Sequence, residues 1–179
     1  MTQSADANFL PDILAPNLAV VFCGINPGFA AAEFGHHFLS RSNRFWRVLY
    51  LSGFTPHQIE PENDRSILQY RYGLTTAVAR PTRRAAELSR DEFTLARTAL
   101  EEKILKLAPY AIAFLGKRAY AEITGSMKIQ WGMQPEPFAG AQAWVLPNPS
   151  GLNRGFNIDA LTVAYRDMRL AIDSKTKVC

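Results

Sequence analysis

The sequence predicts an α/β fold: a three-layer α/β/α sandwich with a short, mostly parallel central sheet. Short apolar runs end abruptly at turn residues, and helical patterns lie between these runs along the chain. Runs that are apolar at every position are typical of strands covered on both faces, as in a parallel sheet, and their alternation with helices favours a sandwich. The 179 residues predict a single domain over 1–179.

The predicted strands share an apolar composition and a glycine, a proline or another turn residue at their carboxyl end. They lie at residues 19–23, 111–115 and 143–146, with a weaker candidate at 72–78. Ligand sites in such sheets lie beyond the carboxyl ends of the strands. We therefore expect the loops 24–43, 116–118 and 147–156 to face the ligand.

Four helices are predicted from apolar residues at helical spacing. They cover residues 44–51, 90–107, 117–124 and about 158–172. Ser89 and Glu92 have the spacing of a capping box at the start of the second helix, and Gly125 is a typical stop for the third. The three tryptophans are expected in the core because large aromatic residues are usually buried.

The composition limits the class of protein. Hydrophobic residues make up 47% of the chain and charged residues 20%, as in soluble globular proteins, and the net charge of +4 weakly favours a polyanionic partner. Two cysteines, Cys23 and Cys179, exclude a disulfide scaffold and a cluster held by four cysteines. The apolar surroundings of Cys23 predict a buried, inert thiol.

No apolar run approaches the length of about 20 residues that spans a bilayer, and residues 1–9 lack the pattern of a signal peptide. We therefore expect a cytoplasmic protein without membrane contact. We also expect a monomer.

The turn after the first predicted strand is Gly24-Ile25-Asn26-Pro27-Gly28. Pro27 biases Asn26 away from helical geometry, and the glycines let the backbone approach a ligand closely. Asn26 could then hold a water molecule with its side-chain amide while nearby N–H groups point into the same cavity. By itself, the turn is equally typical of a strand-to-helix connection without chemistry.

A second turn-rich segment, residues 147–154, follows the last predicted strand. Such a loop can push Leu152 into a duplex while Arg154 reaches bases or phosphates, and Asn148 and Ser150 could bind phosphate oxygens. A surface loop with an exposed leucine is the alternative, since single exposed apolar residues are normal.

Two basic pairs follow predicted strands on the same side of the sheet: Arg83-Arg84 and Lys117-Arg118. Either pair could bind phosphate, with Lys117 the residue we assign to it. A solvated surface is the competing interpretation for both pairs.

Together the two turn-rich segments resemble the mismatch-specific uracil-DNA glycosylase family, which shares a superfamily with thymine-DNA glycosylase. The resemblance extends over about residues 13–170 and includes residues 20–28, 43–46, 80–82, 115–117, 130–132 and 145–152. It implies an α/β/α fold with a parallel sheet and no metal or cofactor. It also implies excision of uracil from G·U mismatches and of ethenocytosine in double-stranded DNA, with weak or no action on thymine.

The resemblance also implies residue roles. Asn26 corresponds to the family's water-positioning asparagine and Phe38 to its base-stacking aromatic residue, and the backbone of Ile25 and Phe38 would bind the flipped base. The wedge that fills the vacated space and contacts the opposite guanine corresponds to Gly151, Leu152 and Arg154. Ala31 stands where family members often carry serine, and residues 33–37 also differ, so the preference among damaged bases stays open.

Cleavage of the glycosidic bond places negative charge on the departing base, which backbone N–H donors stabilise. Asn26 cannot take a proton, so we expect it to orient water, and Glu33 is a weaker candidate for a catalytic base. Neither His36 nor His37 is assigned a role, since loop histidines are more often solvated. The absence of lysine from both segments predicts hydrolysis to an abasic site without strand cleavage.

Two alternatives stay open. One is a broader glycosylase that also acts on single strands or on other deaminated bases. The other is a non-catalytic DNA- or nucleotide-binding module, although the sequence lacks both the G-x-x-x-x-G-K-[ST] and the G-x-G-x-x-G phosphate motifs.

Overall fold

Five strands form one sheet in the order β2-β1-β3-β5-β4. The computed structural model describes residues 9–176. Its strands are β1 (Val20–Gly24), β2 (Tyr72–Thr76), β3 (Ala111–Leu115), β4 (Gly132–Met133) and β5 (Gln142–Leu146). All neighbouring strands pair in parallel except β4, which runs antiparallel to β5. The mostly parallel sheet is confirmed, and the short antiparallel edge is an addition that the sequence pattern did not indicate.

Helices follow each parallel strand. They are α1 (Phe29–Phe34), α2 (Phe45–Leu51), α3 (Arg90–Leu107), α4 (Lys117–Thr124) and α5 (Ile158–Thr176), with 3₁₀ segments at Pro61–Tyr70 and Ala85–Glu87. The four predicted helices are confirmed, and the predicted capping box starts α3, where Ser89 Oγ accepts a hydrogen bond from the N–H of Glu92. None of the helices within residues 9–176 is both long enough and apolar enough to cross a membrane.

Both faces of the sheet are covered, which explains the continuous apolar runs. In β1, Val20 and Phe22 pack in a core with α2 and α5, whereas Val21 and Cys23 pack in a second core with α3 and α4. The predicted three-layer sandwich is therefore confirmed. Burial raises the pKa of the Cys23 thiol to about 12, consistent with an inert thiol, and Cys179 lies outside the described residues.

The segment before β1 crosses the edge strand of the sheet. Ile13 pairs with Leu74 of β2 through two hydrogen bonds of 2.9 and 2.8 Å, so the chain runs closely over Gly73. A Cβ at residue 73 would lie 2.6 Å from Cδ1 of Leu18 and 2.8 Å from the carbonyl oxygen of Ile13. Only glycine fits this crossing without displacing the backbone.

We expect Gly73→Ala to lower the free energy of unfolding by about 1–3 kcal/mol, because the added methyl group overpacks the crossing. Urea denaturation of both proteins measures the difference. Gly155→Ala is the matched control, since a Cβ at residue 155 would lie 3.5 Å from the nearest atom, Oδ1 of Asn153. Equal stability of the two variants would contradict the steric explanation.

Candidate active site

A cavity of about 770 Å³ opens where the parallel strands end. Its wall comes from the segments 24–43 after β1, 76–85 after β2 and 148–153 after β5. The loops expected to face a ligand therefore meet at one place, with one exception. Residues 116–118 do not line the cavity.

Asn26 lies in the cavity wall with its side-chain nitrogen surrounded by acceptors. Nδ2 donates hydrogen bonds to Oγ1 of Thr82 at 2.7 Å, to the carbonyl oxygen of Arg80 at 2.9 Å and to that of Pro27 at 3.3 Å. The Thr82 hydroxyl in turn donates to the carbonyl of Arg84 at 3.0 Å, so its lone pairs are left for Asn26. We call this arrangement the amide cage.

The amide cage determines which way the Asn26 side chain is turned. Carbonyl oxygens only accept hydrogen bonds, so the NH₂ group must face Arg80 and Pro27. All hydrogen bonds of this side chain within residues 9–176 use Nδ2, and none uses Oδ1. The amide oxygen therefore has a fixed direction, and it can accept a hydrogen bond from a water molecule or a ligand.

Phe38 supplies an aromatic surface to the same cavity. Its ring stacks on Phe45 with a centroid separation of 3.9 Å and an interplanar angle of 24°. The backbone of Phe38 has a φ of 55°, in the left-handed region that non-glycine residues seldom adopt. Phe45 covers one face of the Phe38 ring, and the cavity adjoins the ring.

His37 anchors the backbone that leads into Phe38. Its N–H donates to Oδ2 of Asp64, its Nε2 lies 2.9 Å from the carbonyl oxygen of Pro11, and its carbonyl accepts from the indole of Trp46. The expectation that this histidine is solvated is wrong, because it is 1% exposed. Burial lowers its pKa below the ordinary value, so the neutral imidazole donates from Nε2 to Pro11.

Within residues 9–176, the backbone carbonyl of Ile25 is used in the fold, whereas its N–H is not. Its carbonyl accepts a hydrogen bond from the N–H of Val78 at 2.9 Å. The N–H of Ile25 is therefore the group that can serve the predicted contact to a base.

The loop after β5 forms another part of the wall, and 76% of the surface of Leu152 in this loop is exposed. The side chains of Asn148 and Ser150 shape this loop: Asn148 Oδ1 accepts from the N–H of Ser150, and Ser150 Oγ accepts from the N–H of Leu152. Their predicted phosphate contacts would therefore use the remaining donors, the amide NH₂ and the hydroxyl. Gly151 and Arg154 are exposed and lie outside the cavity lining.

Arg44 holds this loop in place. Its guanidinium donates to the carbonyl oxygens of Pro149 at 3.2 Å, Ser150 at 2.8 Å, Asn153 at 3.0 Å and Phe156 at 2.6 Å. The family resemblance described above includes residues 43–46, but it implied no role for Arg44. These contacts join residues more than 100 positions apart, which no local pattern reveals.

Gly151 seats the same loop against the start of α2. A Cβ at residue 151 would lie 2.7 Å from both Cβ and the carbonyl oxygen of Ser42. The glycine is thus required for close packing of the two segments. This packing is a structural reason for Gly151 beside its predicted role in the wedge.

Lys117 extends toward Trp131 instead of the cavity. Its ammonium lies 4.8 Å from the centroid of the Trp131 ring, which also packs edge-to-face on Phe156. The expectation that Trp131 is in the core is wrong, because it precedes the edge strand β4 and is 43% exposed, whereas Trp46 and Trp144 are buried as expected. Phosphate binding by Lys117 stays a prediction.

Two further residues bear on the choice of catalyst and ligand. Glu33, the weaker candidate for a base, is exposed and does not line the cavity. Ala31 does line the cavity and is 8% exposed, so a methyl group occupies this position in the wall.

Comparison with known proteins gives two findings. Residues 11–169 match the family described as the uracil DNA glycosylase superfamily. Among solved structures, the chain is similar to a protein from Methanosarcina acetivorans, determined by NMR and described as a candidate uracil DNA glycosylase. The two share 18% sequence identity with a TM-score of 0.58 over 90% of this chain and 98% of the other, which establishes likeness of fold.

We expect Arg44→Lys to loosen residues 149–156, because a lysine ammonium cannot replace the planar fork that serves four carbonyls. Hydrogen exchange followed by mass spectrometry should show amide exchange in this segment accelerating by about 10-fold or more, as local opening becomes easier. Arg47→Lys is the control, since Arg47 lies one turn further along α2 and is exposed. Unchanged protection in Arg44→Lys would show that the loop holds its conformation without the guanidinium.

Proposed function

The chain belongs to the uracil DNA glycosylase superfamily, and from this premise we propose that it excises uracil and ethenocytosine from mismatched double-stranded DNA. Membership of the superfamily identifies the chain as a DNA glycosylase. Its preference for mismatched DNA and for these two bases is what we propose. The enzyme hydrolyses the N-glycosidic bond and leaves an abasic site without cleaving the strand. The observation that carries this proposal is the amide cage, which presents Oδ1 of Asn26 at the cavity.

In the proposed reaction, Oδ1 of Asn26 accepts a hydrogen bond from the attacking water. The water oxygen forms a bond to C1′ of the sugar, the bond from C1′ to the base nitrogen breaks, and the base leaves with the electron pair. The water proton passes to solvent. Because an amide is too weak a base to take that proton, the reaction depends on a good leaving group.

The base-binding part of the proposal uses Phe38 and Ile25. A flipped uracil stacks on Phe38, which is itself supported by Phe45. The N–H groups of Ile25 and Phe38 donate to the uracil carbonyls, which stabilises the negative charge that develops on the base. The left-handed backbone at Phe38, held through His37, sets the direction of its N–H.

The preference for mismatches follows from base flipping and from the wedge. Extrusion costs a few kcal/mol, least for a base that is mispaired. Leu152 enters the space that the base leaves, with Gly151 and Arg154 at the opposite guanine. Support for this role comes from the exposure of Leu152 at the cavity that Asn26 also lines and from the anchoring of its loop by Arg44.

We expect wild-type protein to act faster on G·U and on ethenocytosine duplexes than on A·U duplexes or single-stranded uracil in single-turnover excision assays. Asn26→Ala should reduce the rate on G·U by about 10²- to 10³-fold, because the water loses its acceptor. Asn63→Ala, an exposed asparagine away from the cavity, is the matched control.

The outcomes separate the alternatives. A normal rate for Asn26→Ala contradicts the water-positioning role. Equal rates on duplex and single-stranded uracil indicate the broader glycosylase, and no abasic product from wild type indicates a binding module.

Thr82→Val tests whether the amide cage orients Asn26. The valine keeps the shape of this buried side chain but cannot accept the hydrogen bond from Nδ2, so the single-turnover rate should fall on the order of 10-fold with unchanged DNA affinity. Thr82→Ser retains the hydroxyl and should retain the rate. A wild-type rate in Thr82→Val would show that Arg80 and Pro27 suffice to hold the amide.

A further inference from the structure

Residues 82–85 form a side of the cavity of which the proposed chemistry uses only Thr82. All four residues of this segment line the cavity, and it contributes two exposed cations, Arg83 and Arg84. We call residues 82–85 the arginine arm. It lies between β2 and α3, beside the turn that carries Asn26.

The two arginines of the arm differ from the neighbouring Arg80 in their partners. Arg80 forms an ion pair with Glu92 and donates to the carbonyl of Glu87. Within residues 9–176, no carboxylate lies within ion-pair distance of Arg83 or Arg84. Two adjacent cations at the rim of the cavity therefore lack an anionic partner within the described part of the chain.

Glu87, three residues after Arg84, is hydrogen-bonded to the backbone of the arm. Oε1 of Glu87 accepts a hydrogen bond of 2.8 Å from the backbone N–H of Arg84, and the N–H of Glu87 donates back to the carbonyl of Arg84. This reciprocal pair holds the backbone of the arm at Arg84. The guanidinium groups of Arg83 and Arg84 have no ion-pair partner within residues 9–176.

The arm is also connected directly to the catalytic turn. The N–H of Thr82 donates to the carbonyl of Pro27 at 3.1 Å, and the Thr82 hydroxyl bridges Nδ2 of Asn26 and the carbonyl of Arg84. An anion held by the arginines would therefore lie at a set position relative to Asn26. Phosphate is the anion that guanidinium groups bind best in nucleic acids, through paired N–H donors.

We propose that Arg83 and Arg84 bind backbone phosphates of the DNA strand that carries the lesion, next to the flipped nucleotide. This inference rests on the proposed function and adds a second DNA contact, in a segment after β2 that the strand order separates from the Leu152 loop after β5 by β1 and β3. The wedge loop faces the unmodified strand, and the arm holds the strand from which the base is extruded. The arm thereby positions the lesion strand relative to Asn26.

The test measures DNA binding by fluorescence anisotropy at several KCl concentrations from about 50 to about 200 mM, because the salt dependence of the affinity reports the number of phosphate contacts. The ligands are an undamaged duplex and a duplex with a stable abasic analogue, so binding is read without excision. The proteins are wild type, the double variant Arg83→Gln/Arg84→Gln, the double variant Arg83→Lys/Arg84→Lys, and Arg71→Gln as control. Arg71 is exposed and lies immediately before β2, at the amino ends of the parallel strands and outside the lining of the cavity.

We expect the double glutamine variant to reduce the slope of log K against log salt by roughly 1 for each lost phosphate contact, about 2 in all, and to weaken binding to both duplexes. The double lysine variant should keep most of the slope because it keeps the charge. Arg71→Gln should match wild type. A double glutamine variant with the wild-type slope and affinity overturns the proposal.

Neutral methylphosphonate linkages placed one at a time identify the strand. In the lesion strand, a linkage beside the abasic analogue should weaken binding by wild type but not by the double glutamine variant. If only linkages in the opposite strand show this dependence on the arginines, the strand assignment is overturned. Since these readouts do not require excision, a wild type that binds in this way but releases no base rejects the proposed function and leaves the arm supported.

Discussion

The pairing of β1 with β2 is the constraint on which the candidate site depends. Their register continues past the ends of the strands, through hydrogen bonds from Ala77 N–H to Gly24 and from Val78 N–H to Ile25. The loops that follow the two strands therefore leave the sheet side by side. This adjacency brings the acceptors of residues 80–82 to the amide of Asn26. Without it, the amide would rotate freely in solvent, and neither its oxygen nor its nitrogen would have a fixed direction.

Arg44 imposes a similar order on the other wall, by different means. A partly buried guanidinium is usually balanced by a carboxylate, but here its donors meet backbone carbonyls of the loop after β5. Those carbonyls belong to an irregular segment and would otherwise need water or another donor. One side chain thus supplies hydrogen bonds to a loop that has no regular structure. These hydrogen bonds hold the loop while Leu152 stays exposed, which suits the wedge role that we propose for this side chain.

The sequence was most informative where local chemistry decides structure. Apolar residues at every strand position indicated burial on both faces, and the two cores on opposite sides of β1 are the reason. The capping box at Ser89 was also predictable, since it depends on residues three positions apart. Helix α1 was not, because its six residues are too few to show a helical repeat, and the residues that it buries are Ala31 and Ala32, while its larger Phe29 and Phe34 are exposed. The burial of His37 depends on partners distant in sequence, so its surroundings were equally hidden.

What the sequence could not distinguish is which polar groups are used inside the fold and which are left for a ligand. Asn26, Arg80 and Arg84 are all polar loop residues in the sequence. In the structure, the side-chain nitrogen of Asn26 is hydrogen-bonded within the fold, and the guanidinium of Arg80 forms an ion pair with Glu92. Within residues 9–176, the oxygen of the Asn26 amide has no hydrogen-bond partner and the guanidinium of Arg84 has no ion-pair partner. An amide oxygen, an exposed leucine and unpaired cations then surround one cavity. A stacked duplex and phosphates are the partners that suit the leucine and the cations, and DNA with an extruded nucleotide presents both, while the amide oxygen suits a water molecule.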